Sequence, residues 1–389
     1  MRRIRVVQLV AGIAIGDQSG GAEQIGIHLA RYLDRDAFES ALFAMRGYGS
    51  AAERQWLTRL TGEEVPVYGL TPATGSSLRD LGQALRALWS LVGEFRPDVI
   101  NSHSERGDVI NALVRSFHPV HPRAVRTMHT DQQWQTRPWL GSVLTNGLFP
   151  LVFDAEIAVS EAVRLALERR PLARLRRRKS PLCYVGIDRS LFERLAGDTP
   201  PPFPASLPAG RPLIGIVGRL APQKGHTYLL EALPLIHQTC PVHLAVIGTG
   251  PLEAELRAQA ARLSIQDYVH FLGSRSDVLA IMPHLDLLVS ASLWEGLPTV
   301  ILEAMALGVP VVATDVSGSR EVVQSDQTGI LVPSADPVAL ARATASLLAN
   351  PTQAGRMATH ARRLAARFTV QSSAPCYGEV YRGVVEGGR

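Results

Sequence analysis

The sequence predicts an α/β fold of two doubly wound, Rossmann-like domains. Short β-rich runs alternate with helical patterns from end to end, the mark of parallel sheets covered by helices. A stretch crowded with Pro200, Pro201, Pro202, Pro204, Pro208 and Pro212 interrupts that alternation near the middle. At 389 residues, and with roughly 150 residues to a domain, the chain is long enough for two or three domains with cores of their own.

The first half reads as strands at Ile4–Val10, Ala41–Met45, Val99–Ser102, Ala124–Met128 and Ala155–Val159, with helices such as Ala22–Leu33 and Asp108–Ser116 between them. Arg2-Arg3-Ile4-Arg5 followed by Val6 to Ile15 mimics the start of a signal peptide. A glycine loop and an amphipathic helix follow at once, so a first buried strand is the better reading. Residues 196–212 lack any hydrophobic period and read as a linker. Beyond it come strand Leu213–Val217, helix Gly225–His237, strand Val242–Ile247, helix Leu252–Leu263, strand Leu285–Ser290, helix Pro298–Leu307 and strand Val309–Ala313. Phe368 to Val385 reads as a last helix. The expected organisation is thus a domain over 1–195, the linker, a domain over 213–367 and a terminal segment over 368–389. Open α/β sheets bind ligands beyond the carboxyl ends of their strands, so a cleft between the domains is the expected site.

Composition narrows the functional classes. With 46% hydrophobic and 19% charged residues, Gly 33 and Pro 26, the chain is neither disordered, collagenous nor coiled coil. Lys+Arg 40 against Asp+Glu 35 leaves a net charge of +5, too thin a margin to make nucleic acid the main ligand. Cys183, Cys240 and Cys376 are odd in number and far apart, so neither a disulfide framework nor a metal site is readable, and a reducing compartment is expected. The longest uncharged stretch, Pro138 to Phe153, is shorter than the ~18 apolar residues of a spanning helix.

The densest chemical signal runs from Ser292 to Glu303, Ser-Leu-Trp-Glu-Gly-Leu-Pro-Thr-Val-Ile-Leu-Glu. Pro298 suits a first helical turn, so Glu295 should lie in the loop before the helix and Glu303 roughly 7 to 8 Å along its axis. The two carboxylates could bracket an elongated ligand, with Gly296 and the N–H groups around Leu297, Thr299 and Val300 forming an anion site suited to phosphate. Glu303 stands in an apolar helix, where a carboxylate needs a partner such as a sugar hydroxyl. The second signal is Val217-Gly-Arg-Leu-Ala-Pro-Gln-Lys-Gly225, in which Arg219 offers a planar fork and Lys224 a mobile point charge after Gly218. Gly248-Thr-Gly250-Pro is weaker, since Gly-x-Gly after a strand is usually turn chemistry alone. The full Gly-x-Gly-x-x-Gly fingerprint is missing, which argues against NAD or FAD. Gly20 and Gly21 lie between the first strand and a helix, where a backbone can approach a ligand or simply turn. His103 and His129 each end a strand without metal-ligand spacing. Asp34-Arg-Asp36 matches Asp-x-Asp only literally, at a helix end, and no metal is assigned.

Taken together, Gly-Arg-Leu with Gln-Lys-Gly, Ile247-Gly-Thr-Gly-Pro251, Glu295-x7-Glu303, Gly308-Val-Pro-Val-Val-Ala-Thr-Asp315 and Gly318-Ser-Arg-Glu321 resemble the retaining GT-B glycosyltransferases of family 4 across essentially the whole chain. The resemblance implies two domains facing across a cleft and transfer of a sugar from a nucleotide diphosphate donor with retention, without a required metal or other cofactor. It implies that Arg219 and Lys224 hold the diphosphate and that Glu303 holds the ribose hydroxyls. It further implies that Glu295 touches the donor sugar, that Gly20 and Gly21 close over the phosphates, and that His129 and, less closely matched, His103 stand near the donor sugar. A final helix that crosses back to the first domain belongs to the same pattern. Two departures stand out: Val185 in Tyr184-Val-Gly-Ile-Asp188 replaces the usual Asn, and Gly318-Ser319 replaces Gly-Gly.

A UDP-sugar donor and a glycan or lipid-linked acceptor, in cell-surface polysaccharide or glycolipid synthesis, are the expected substrates. A sugar-nucleotide epimerase on the same fold and a non-catalytic nucleotide-sugar or acidic-polymer binding protein remain as alternatives. Arg164, Arg169, Arg170, Arg174, Arg176, Arg177, Arg178 and Lys179 form either a solvated basic face or a dock for an anionic membrane. Trp134, Trp139 and Leu140 onward to Phe153 would then receive a lipid-linked acceptor, placing a cytoplasmic protein at the inner face of the membrane.

Overall fold

The computed structural model describes residues 2–15, 20–72, 74, 76–132, 134, 137–190, 193, 207 and 210–387. Most of the expected linker, residues 196–212, lies outside the described residues. The chain divides into two compact units, Met1–Gly186 with Val370–Arg389, and Ile187–Thr369. The division falls before the expected residue 195 because Ile187 is already tied to the second unit. Its N–H bonds the Phe368 carbonyl at 3.0 Å, and it bridges Thr369.

In the first unit, β1 (Ile4–Val10), β2 (Phe38–Ala44), β3 (Val67–Gly69), β4 (Val99–Ser102), β5 (Arg123–Met128) and β6 (Ala155–Ala158) form a parallel sheet in the order β3-β2-β1-β4-β5-β6. The basic-apolar start of the chain is therefore a central strand, buried from Val6 to Val10. Helices α1 (Gly21–Tyr32), α2 (Ala51–Gly62), α3 (Ser77–Phe95) and α4 (Glu105–Phe117) connect the strands. Local chemistry starts these helices: Ser50 accepts from the Glu53 N–H and Ser104 from the Gly107 N–H, each at 3.2 Å. One face of the sheet packs Val7, Leu9, Phe43 and Ile100 against Leu88 and Val114, and the other packs Val10 and Leu42 against Ile27 and Leu60.

The uncharged stretch after β5 forms no continuous helix. It breaks into α5 (Pro138–Val143), a π-helical turn (Leu144–Leu148) and α6 (Phe149–Val152). Trp134 is buried with Ala112, Ala124, Phe149 and Phe153, so it belongs to the core, whereas Trp139 is exposed. No helix among the described residues is long and apolar enough to cross a membrane. After β6 come α7 (Glu161–Arg169) and α8 (Pro171–Leu175).

The second unit repeats the design. Strands β7 (Leu213–Val217), β8 (His243–Ile247), β9 (Val269–Gly273), β10 (Leu287–Ser290), β11 (Val311–Thr314) and β12 (Ile330–Val332) pair in parallel in the order β12-β11-β10-β7-β8-β9. Its helices are α9 (His226–His237), α10 (Glu253–Arg262), α11 (Val278–Ile281), α12 (Thr299–Ala306), α13 (Ser317–Val322), α14 (Pro337–Ala349) and α15 (Pro351–Ala365). Each sheet counted from its own first strand has the order 3-2-1-4-5-6, which reverses between strands one and four. In each unit that reversal leaves a crevice at the strand carboxyl ends.

The last helix, α16 (Val370–Glu386), packs in the first unit, where it meets α1. It corrects the reading of the cysteines: Cys183 and Cys376 are joined by a disulfide, with Cα atoms 5.8 Å apart. The 193-residue separation hid the pair, because only the return of the terminal helix brings the two sulfurs together. Cys240 stays free.

Candidate active site

In the second unit the two neighbouring strands at the reversal, β7 and β10, end at Val217 and Ser290. The loop after β7 is laced to the turn after β8, since Leu220 donates its N–H to the Thr249 carbonyl at 2.9 Å and Leu252 to the Leu220 carbonyl at 3.1 Å. A Cβ at Gly250 would lie 2.4 Å from the Leu220 carbonyl oxygen. Close backbone packing therefore accounts for that glycine. Gly225, at φ +62°, turns the chain into α9, and a Cβ there would lie 2.0 Å from the Ala291 carbonyl oxygen. The loop is thereby pressed against the end of β10, and Gly218 leaves room for the Lys224 stem, 3.1 Å from where its Cβ would be.

Lys224 is consequently not a mobile charge. Its Nζ lies 2.5 Å from Glu295 Oε1, which also accepts from Ser292 Oγ at 2.7 Å. Gln223 fastens the same two loops, donating Nε2–H to the Trp294 carbonyl at 3.1 Å and accepting the Leu293 N–H on its own carbonyl at 2.8 Å. Glu295 is buried, and the ammonium and hydroxyl supply what a buried carboxylate requires. Ser292 and Gln223 were not singled out in the sequence, although Ser292 stands three residues before Glu295, a spacing at which Ser and Glu often meet.

Pro298 caps α12, and its carbonyl accepts the Ile301 and Leu302 N–H groups at 3.1 and 3.4 Å. The N–H groups of Gly296, Leu297, Thr299 and Val300 find no acceptor among the described residues, which leaves a nest of donors at the helix start. Glu303 follows one turn inside, among the buried Ile301, Leu302, Ala304 and Met305. Its carboxyl makes no hydrogen bond or ion pair with a described residue, and burial pushes it up to about 7, with the Lys224 charge opposing the rise. Arg219 is exposed and has no carboxylate partner among the described residues. The crevice thus holds a guanidinium and N–H donors without partners among the described residues, and a lysine paired with Glu295 whose charge also acts on Glu303. Gly318 lets α13 approach this loop, for a Cβ there would lie 2.5 Å from the Gly296 carbonyl oxygen, and Ser319 beside it is buried.

At the reversal of the first unit, His103 follows β4 and His129 follows β5. His103 Nδ1 and His129 Nε2 are 3.2 Å apart, and His103 Nε2 lies 2.9 Å from Gln8 Oε1. His103 is fully enclosed while His129 is partly exposed, so His129 is the open end of the pair. Desolvation holds His103 well below the usual imidazole range, helped by His129, and lowers His129 to about 4. Both rings are neutral at neutral pH. Gly20 is exposed and donates its N–H to Glu23 Oε2 at 3.0 Å, and Gly21 opens α1. Gln8, Asn101 and Tyr381 complete this polar cluster. A glutamine in the middle of the buried run Ile4–Val10 was the available signal, and it passed unread.

The basic cluster is split by the fold. Arg164 pairs with Glu161 and Glu168; Arg170 is buried against Glu156; Arg178 donates to the Pro150 and Phe153 carbonyls. Only Arg169, Arg174, Arg176, Arg177 and Lys179 are exposed. Among the described residues no group of three or more His, Cys, Asp or Glu side chains is placed to hold a metal ion, and Asp34 Oδ1 is occupied by the Asp36 N–H at 3.0 Å.

Comparison with known proteins covers both units. The family described as Glycosyl transferases group 1 matches residues 211–350, and Glycosyltransferase Family 4 matches residues 19–190. The lipopolysaccharide core biosynthesis mannosyltransferase LpsB of Rhizobium meliloti is 30% identical over 51% of this chain and 60% of its own length. Glycogen synthase of Mycobacterium tuberculosis is 27% identical over 82% of this chain and 76% of its own. In fold, the crystal structure of Anabaena Alr3699/HepE in complex with UDP and glucose is similar, with a TM-score of 0.75, 23% identity, and coverage of 98% of this chain and 100% of that one.

Proposed function

Because the chain belongs to the glycosyltransferases of group 1 and family 4, we propose that it moves a sugar from a nucleotide diphosphate donor, a UDP-sugar in the first instance, to a glycan or lipid-linked acceptor with retention at the anomeric carbon. The observation that carries this reading is the second-unit crevice, where Lys224 pairs with Glu295 and its charge acts on Glu303, and where Arg219 has no carboxylate partner and the N–H donors at the start of α12 no acceptor among the described residues. Such a set of donors suits a diphosphate, and the unpartnered Glu303 carboxyl suits a ribose diol. The Anabaena neighbour, crystallised with UDP and glucose, favours uridine as the base.

The chemistry follows from where charge develops. As the anomeric C–O bond breaks, its electron pair passes to the β-phosphate oxygen, and Arg219, Lys224 and the N–H groups of α12 stabilise that negative charge. The acceptor oxygen bonds to the anomeric carbon on the face the diphosphate leaves, and its proton goes to the departing phosphate oxygen. The ammonium and guanidinium do the neutralising, so no metal is assigned to the step. Glu295, tied to Lys224 and Ser292, orients the sugar.

For the acceptor side, the exposed Trp139, Val143, Leu148, Leu151 and Leu175 share the first unit with the exposed Arg169, Arg174, Arg176, Arg177 and Lys179. The Arg178 bond to Pro150 and the Arg170 bond to Thr145 hold the two groups side by side. We assign this apolar and basic surface to an anionic membrane, at the inner face of which a lipid-linked acceptor would be met. Reversing the five exposed cations to glutamate is expected to abolish binding to anionic vesicles at low salt, and unchanged binding would remove the membrane from the account.

Differential scanning with a panel of nucleotide sugars tests the donor site. A ligand at 100 times its Kd stabilises by roughly 2.7 kcal/mol, and Glu303→Ala and Lys224→Ala should each abolish the shift. Turnover should release nucleoside diphosphate; an epimerised donor would instead indicate an epimerase, and binding without turnover a non-catalytic nucleotide-sugar binding protein.

A further inference from the structure

Beneath His129 lies a chain of fully enclosed polar groups drawn from four elements. Thr127 Oγ1 on β5 donates to Asn101 Oδ1 on β4 at 3.1 Å, which turns the Asn101 amide nitrogen toward β1 and α16. That nitrogen lies 2.8 Å from the Tyr381 hydroxyl and 3.2 Å from Gln8 Oε1. Gln8 Nε2 donates to the same hydroxyl at 3.1 Å. Both amides thus share one acceptor, supplied by the terminal helix.

This arrangement favours one tautomer of each histidine. With Asn101 N–H directed at it, Gln8 presents its carbonyl oxygen, and a protonated His103 Nε2 meets this acceptor at 2.9 Å, nearer than the 3.2 Å at which a bare Nε2 would face the Asn101 N–H. A neutral His103 then has a bare Nδ1, which must accept from His129 Nε2 at 3.2 Å. A neutral His129 protonated on Nε2 has a bare Nδ1. Packing fixes the rings further, because a Cβ on Gly26 of α1 would lie 3.1 Å from the His103 ring. Every member is enclosed except His129, so the arrangement cannot be rescued by exchanging partners with bulk water.

We propose that Gln8, Asn101 and Tyr381 are positioning residues which, through His103, fix His129 as the Nε2–H tautomer and present its Nδ1 to a ligand hydroxyl as a hydrogen-bond acceptor. The ligand assignment rests on the glycosyltransferase reading; the tautomer does not. An imidazole held this way can accept from a sugar hydroxyl.

The test reads the ring nitrogens directly. Long-range ¹⁵N–¹H correlation spectra of the ligand-free full chain at neutral pH distinguish a protonated from a bare nitrogen. The expected wild-type pattern is Nε2–H on both histidines. In Gln8→Leu the His103 Nε2 is left facing only the Asn101 N–H donor, 3.2 Å away. Its proton should move to Nδ1, and the His129 proton from Nε2 to Nδ1. Tyr381→Phe frees the Gln8 amide to turn and should give the same inversion in part, while Gln8→Glu keeps the acceptor and should restore the Nε2–H form. A wild-type His129 protonated on Nδ1, or the wild-type pattern persisting in Gln8→Leu, overturns the proposal. Should the leucine variant fail to fold, the wild-type spectrum alone still decides. A chain with the expected tautomer but no nucleotide-sugar turnover would discard the functional reading and leave the positioning role standing.

Discussion

Replacing Glu303 by glutamine should stabilise the ligand-free protein while destroying its donor site. The carboxyl has no hydrogen-bond or ion-pair partner among the described residues, and burial carries it from the ordinary 4.5 to about 7 against the pull of Lys224. At about 1.4 kcal/mol per pH unit, holding that group in the fold costs at most about 3 kcal/mol once it is ionised, less whatever water reaches a partly exposed side chain. The sign follows from proton counting. Below about pH 4.5 the carboxyl is protonated in both states and costs nothing; between 4.5 and 7 the folded chain keeps a proton the unfolded chain has lost, so stability falls as pH rises; above 7 the full cost is present. Glu303→Gln should therefore match the wild type at pH 4 and exceed it by about 1 to 3 kcal/mol at pH 8. Hydrogen exchange of amides in α12, β10 and β11 is the suitable assay, because two units need not unfold in one transition. Equal protection of wild type and variant at both pH values would refute the claim that Glu303 is a buried carboxyl awaiting a ligand.

Lys224→Met should cost about 3 kcal/mol by stranding the enclosed Glu295, and adding Glu295→Gln should recover most of it; a coupling below about 0.5 kcal/mol in the exchange-based double-mutant cycle would mean the pair is incidental. Arg126 is wholly buried between Asp108 and Glu156, both at 2.9 Å, so Arg126→Met should cost about 3 to 5 kcal/mol in first-unit stability, measured by urea titration, and a neutral effect would show the carboxylates to be discharged. The Cys183–Cys376 link closes a separation of 193 residues and should be worth about 5 kcal/mol by loop entropy, so Cys183→Ser with Cys376→Ser should lower the denaturation midpoint of the first unit clearly. At an inner membrane face the same pair should exist as thiols, alkylated when cells are trapped before lysis; resistance to trapping would place the chain in an oxidising compartment instead.

Much of the fold was legible because parallel strands buried on both faces leave continuous apolar runs. Ile4–Val10, Val99–Ser102 and Leu213–Val217 stand where the sequence set them. The edge strands Val67–Gly69, Val269–Gly273 and Ile330–Val332 escaped notice, being short and only partly buried. In the crevice, the motif residues and their strand-end location were readable, yet the Lys224–Glu295 pair was not, since it depends on β7 lying beside β10 although the two residues are 71 positions apart. The disulfide and the Tyr381 contact were hidden for the same reason: both need the return of α16 to the first unit, which no local period encodes.

The central claim is that the second-unit crevice binds the diphosphate of a nucleotide sugar. Crystals soaked with UDP-glucose test it most directly. The account predicts phosphate density against Arg219, Lys224 and the Leu297 to Val300 N–H groups, with the ribose on Glu303. Ligand bound elsewhere while that crevice stays empty would contradict it.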